Sequence, residues 1–94
     1  MNADTLFQAF KDATSYHGRE DLWPLYESGK VRLDVDASGE NAIVVIPAEL
    51  DAEPDRILHI EKHGKRKFSA KWEDKSAERF HYTLASVFSK ELCR

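Results

Sequence analysis

RILHIEKHGKRKFSAKW, residues 56–72, is the stretch that decides the fold. Side chains in a strand alternate between two faces, so Leu58 and Ile60 must share one face, as must Phe68, Ala70 and Trp72. Gly64 lies between the two runs. A two-residue loop would set Ile60 opposite Lys67 or Ser69 and mix the faces. An odd loop, either His63-Gly64-Lys65 or one of five residues, keeps the apolar sets together. The expected register pairs Ile60 with Phe68, Leu58 with Ala70, and Glu61 with Lys67, an opposite-charge contact on the outer face. A third strand over 56–61 and a fourth over 67–72 follow.

Upstream, Val31, Leu33 and Val35 alternate with Arg32, Asp34 and Asp36, which marks a half-buried first strand. Ala37-Ser38-Gly39-Glu40-Asn41 supplies a turn. The second strand, 42–46, runs apolar without alternation and is expected to be covered on both faces. Pro47 ends it. Residues 47–55, with Glu49, Asp51, Glu53 and Asp55, read as an exposed acidic connection.

The ends of the chain read as helices. Leu6, Phe7, Phe10, Ala13, Thr14 and His17 fall on one helical face, with Asp4 as the expected N-cap and Gly18 as a stop. Pro24 breaks an aromatic stretch into a short helical turn, 24–28, that packs Trp23 and Tyr26 against the end of the core. Ala77, Phe80, Leu84, Val87, Phe88 and Leu92 form one stripe, so a single C-terminal helix is expected from Lys75 to about Leu92, capped by Asp74 or Ser76. The sum is an α+β domain spanning 1–94: a four-stranded antiparallel meander with an N-terminal helix, a short helical turn and a C-terminal helix packed on it.

Composition narrows the function. The 94 residues carry 41% hydrophobic and 33% charged side chains, which suits one core with a solvated exterior. No apolar run approaches the ~18 residues a membrane span needs, and no signal pattern opens the chain. A lone cysteine, Cys93, fits a reducing compartment, so a cytoplasmic location is expected. Met1 without a tag or linker reads as the start of a complete small protein.

The charge is unevenly laid out. Residues 1–55 hold four Lys/Arg against twelve Asp/Glu, a net of −8; residues 56–94 hold ten against five, a net of +5. Lys62, His63, Lys65 and Arg66 crowd the hairpin tip, while Lys67 and Lys71 point outward along the fourth strand. With Glu61 opposite Lys67, the pattern reads as one basic tip on an acidic body. Cations within a Debye length of about 8–10 Å raise a local positive potential, and hairpins enter nucleic-acid grooves. The outward face, however, places no aromatic residue between its cations, and stacking on bases uses them. Lysines also keep a strand edge from pairing with other chains.

Catalytic motifs are sparse. No glycine-rich phosphate loop, nucleophile elbow or H-E-x-x-H occurs. His59 and His63 are about 13 Å apart if extended, too far to share a metal. Asp34 and Asp36, about 7 Å apart, point to one side of a strand, where solvation is the plain reading. The order of elements resembles that of double-stranded-RNA-binding domains, but the last helix opens Asp74-Lys75-Ser76-Ala77-Glu78 without the basic cluster expected there, so no family is assigned.

The sequence therefore points to a non-catalytic binding protein of adaptor or inhibitor type, without cofactor or metal. It docks on another protein through charged surfaces; the binding residues are Lys62, His63, Lys65, Arg66, Lys67 and Lys71. Nucleic-acid binding through the tip 62–67 is the alternative. Trp23, Tyr26 and Tyr82 are anchors if exposed and core if buried. A monomer is expected, or a symmetric dimer through the fourth strand if that strand lies at the sheet edge.

Overall fold

The computed structural model describes residues 2–46, 56–73 and 79–92. The acidic connection 47–55, the expected caps Asp74 and Ser76, the stripe residue Ala77, and Cys93 lie outside them. The order is α1 (Ala3–Tyr16), α2 (Leu22–Glu27), β1 (Arg32–Val35), β2 (Asn41–Ile46), β3 (Arg56–Lys62), β4 (Phe68–Trp72), β5 (Arg79–His81) and α3 (Leu84–Glu91). The strands form one antiparallel sheet in sequence order, β1-β2-β3-β4-β5. The α+β meander stands, with five strands where four are expected.

The fifth strand corrects the reading of the C-terminal helix. Residues 79–81 pair with β4, setting Phe68 against His81 and Ser69 against Phe80. Phe80, Tyr82 and Thr83 favour extended backbone, and β4 offers an unpaired edge to receive them. The helix starts only after Thr83, whose extended backbone and side chain, accepting from the Ser86 N–H at 3.1 Å, make the N-cap. The apolar stripe thus continues across two elements. Leu84, Val87 and Phe88 are buried, whereas Phe80 is 57% exposed.

The hairpin loop is odd, as parity requires, but longer than the three-residue option. Residues 63–67 separate Lys62 from its partner Phe68, and His63 N–H donates to the Lys67 carbonyl at 2.8 Å. The register is therefore shifted by one pair: Ile60 opposes Ala70, Leu58 opposes Trp72, and Glu61 opposes Ser69 instead of Lys67. Faces survive a two-residue shift because the side-chain period is two. The slip sets Leu58 against the large Trp72 and keeps Phe68 beside the loop.

The helices pack on one face of the sheet. Helix α1 lies against α3 and β1, and α3 against β4 and β5. Val44, Leu58, Ile60, Ala70 and Trp72 meet Leu6, Phe10, Val87 and Phe88 in the core. Phe10 and Phe88 meet edge to face at 5.6 Å. Trp72 donates its indole N–H to the buried Glu91 carboxylate at 2.7 Å, and the Arg56 guanidinium lies over its ring at 3.9 Å. The cap of α1 is Asn2, which accepts from the Thr5 N–H at 2.8 Å, with Asp4 inside the first turn instead of at the cap. The expectation that β2 is covered on both faces holds in part: on the face turned away from the helices Val45 is buried, at 7% exposed, whereas Ile43 is 37% exposed. The apolar run reports β propensity as well as burial. Strand β4 lies between β3 and β5, so the sheet edges are β1 and β5.

Candidate binding face

The sheet face turned away from the helices is built from cross-strand rows. One row aligns Asp34, Ile43, His59 and Lys71. The next aligns Asn41, Glu61, Ser69 and Phe80. A third holds Arg32, Val45 and Ile57, with Glu73 reaching the Ile57 carbonyl at 2.9 Å. Charges of both signs thus ring two exposed apolar groups, Ile43 and Phe80. His59 Nε2 lies 3.6 Å from Glu73 Oε2 with both side chains about half exposed, a geometry that contributes little to stability. A depression of ≈ 560 Å³ lies over the first two rows.

One corner of this face has a feature the sequence did not announce. His63 Nε2 and Ser69 Oγ share a hydrogen bond at 2.7 Å, and the His63 ring packs on Phe80 with centroids 5.2 Å apart. A serine hydrogen-bonded to an imidazole is the geometry of an activated nucleophile. Here Ser69 is only 4% exposed and lines the depression. The bond fixes His63 against Phe80 at the surface. Its only sequence signal is the odd loop, which brings residue 63 back over residue 69.

The six expected binding residues do not form one tip. Lys62 opposes Phe68 and is half-buried at the end of β3. Lys65 and Arg66 border a separate groove whose other wall includes Asp4 and Asp12 of α1 and Thr83 at the start of α3. Lys67 is exposed just before β4. His63 and Lys71 belong to the open sheet face. The loop thus divides its cations between a groove partly lined by carboxylates and a mixed-charge sheet surface.

The aromatic candidates separate as well. Trp23 stacks on Tyr26 at 5.6 Å, and Phe7 lies 5.1 Å from each of them. Both are partly buried against the core, which is the packing role expected of the short turn. Tyr82 is 80% exposed. The β1–β2 turn is held by Asp36, which accepts from Ser38 Oγ at 2.7 Å, Asn41 Nδ2 at 2.9 Å and the Gly39 N–H at 3.1 Å. The Ser38 bond above all, then that of the Asn41 side chain, holds the Asp36 carboxyl down at about 2.

Among the described residues, no three His, Cys, Asp or Glu side chains converge as ligands for a metal, and no helix is long and apolar enough to cross a membrane. Compared with known proteins, the chain matches no family model, and neither the curated proteins nor the solved structures include a significant match.

Proposed function

We propose that this is a small non-catalytic binding protein, of adaptor or inhibitor type, that docks on another protein through the open face of its sheet. The observation that carries this reading is Phe80: a large aromatic group 57% exposed at the β5 edge of a charged surface. Interfaces draw their affinity from a few such anchors, and rim charges steer the encounter. Arg32, Lys67 and Lys71 are balanced on and beside this face by Asp34, Glu61 and Glu73. A polyanionic backbone is attracted by net positive charge, whereas a balanced face suits a protein partner carrying both signs. The lone Cys93 supports a reducing, cytoplasmic setting.

One observation favours nucleic acid as the second reading. Phe80, expected in the core stripe, adds to the outer face the aromatic group that base stacking uses, next to His63. The two readings part in a capture experiment from lysate at low and high salt, with and without nuclease. The protein reading expects nuclease-resistant capture that Ile43→Ser/Phe80→Ser abolishes and Lys65→Glu/Arg66→Glu leaves intact. Capture lost on nuclease treatment would transfer the function to nucleic acid. Capture lost only in Lys65→Glu/Arg66→Glu would move the docking site to the loop groove.

A further inference from the structure

The edge strand β1 carries a charge pattern with a symmetry of its own. Lys30-Val31-Arg32-Leu33-Asp34-Val35-Asp36 reads basic, apolar, basic, apolar, acidic, apolar, acidic. Reversing the stretch about Leu33 exchanges every base for an acid and every apolar residue for another. Among the described residues, strand β1 pairs with β2 on one side only. We propose that β1 is a self-recognition edge: two copies of this chain join by antiparallel β1–β1 pairing about a two-fold axis through Leu33.

The backbone has the polarity this requires. Asp36 N–H donates to the Asn41 carbonyl at 2.9 Å, so by antiparallel alternation Arg32, Asp34 and Asp36 direct their peptide groups to β2. Leu33 and Val35 then direct theirs outward. In the proposed register Leu33 exchanges both bonds with Leu33 of the second copy, and Val35 N–H donates to the second copy's Val31 carbonyl. The Val31 N–H is already committed within its own chain, to the Leu25 carbonyl at 3.1 Å, so Val31 serves as acceptor only.

Side chains select this register among its neighbours. With Leu33 on Leu33, Arg32 meets Asp34 of the second copy, Asp34 meets its Arg32, and Lys30 stands opposite Asp36. A shift of one pair either way sets Arg32 on Arg32 or Asp34 on Asp34, and like charges directly opposite are unfavourable. Arg32 and Asp34 are exposed, while Leu33 and Val35 are half-buried, so pairing covers apolar surface on the helix side. Charges that merely guard an edge need only repel; here every facing charge pair attracts in this register, while each neighbouring register sets one like pair among its opposite pairs.

Sedimentation equilibrium of the full chain tests the proposal. The wild type should form a dimer at rising concentration. Arg32→Asp and Asp34→Arg should each weaken it at least about tenfold, since each turns two cross-strand attractions into repulsions. An equimolar mixture of the two variants should dimerise again, because the acid at 32 of one chain meets the base at 34 of the other. Arg32→Glu and Asp34→Lys carry the same test if either first variant fails a circular-dichroism check of its fold. A wild type that stays monomeric, a dimer unmoved by both variants, or a mixture that fails to associate would each overturn the proposal.

Discussion

The two faces of one sheet make the most instructive comparison in this molecule. Adjacent residues of the same strands serve opposite ends: Val44, Leu58 and Ile60 are at most 1% exposed beneath the helices, while Ile43 is 37% exposed on the far side. The helix face is filled by apolar side chains that interlock, including the Phe10–Phe88 edge contact and the Trp72–Glu91 hydrogen bond. The open face holds a His59–Glu73 contact, a His63–Ser69 bond and a largely exposed aromatic ring, Phe80. Most of the buried core lies on the first face and the proposed recognition surface on the second, a separation that a period of two allows.

The sharpest way to break that division is to damage the helix face. Phe10→Ala removes a ring packed on Trp23, Tyr26 and Phe88 and should cost about 3–5 kcal/mol in denaturant unfolding. A loss below about 1 kcal/mol would show that the face collapses without it. Next comes Trp72→Phe, which deprives the buried Glu91 carboxylate of its indole donor; about 1–3 kcal/mol should be lost. Thr83→Ala tests the boundary that splits the apolar stripe between β5 and α3, and should cost about 1 kcal/mol through the lost cap.

On the open face the expectation reverses. Phe80→Ser should change unfolding free energy by no more than about 0.5 kcal/mol, as exposed positions usually do, while removing partner capture. A large stability loss would mean that the Phe80–His63 contact belongs to the core economy of the fold. The smallest effect concerns Asp36 in the turn. Its carboxyl titrates at about 2 in the folded chain against an ordinary 3.8, so the unfolded chain binds this proton more readily. The contribution is complete above pH 3.8, and it is lost as pH falls to about 2. The melting-temperature gap between wild type and Asp36→Asn should therefore shrink as pH falls from about 5 to about 2; a constant gap would sever the turn network from acid stability.

Where the sequence reading succeeded, the signal was periodic and local. Alternation in 31–36, the continuous run 42–46 and the shared face of Leu58, Ile60, Phe68, Ala70 and Trp72 all appear in the sheet as expected. Where it failed, two structures fitted the same period. Phe80 suits a helical stripe with Leu84 as well as a strand beside β4, and only the presence of β4's vacant edge selects the strand. The loop parity was legible, but its length was not, because three and five residues satisfy the same face rule. The six cations lie close in sequence, yet loop geometry sends Lys65 and Arg66 toward α1 and His63 toward Phe80.

Residue order alone makes this chain an α+β meander with most of its apolar set on one sheet face. It also carries, in 30–36, the antisymmetric charges proposed to pair two copies. Both are properties of strand period and residue order. Tertiary packing put β5 in place of β4 at the second edge of the sheet, exposed Phe80, and divided the basic loop between two surfaces. Each of these depends on which elements become neighbours, and neighbours are chosen by packing and free backbone groups rather than by local pattern.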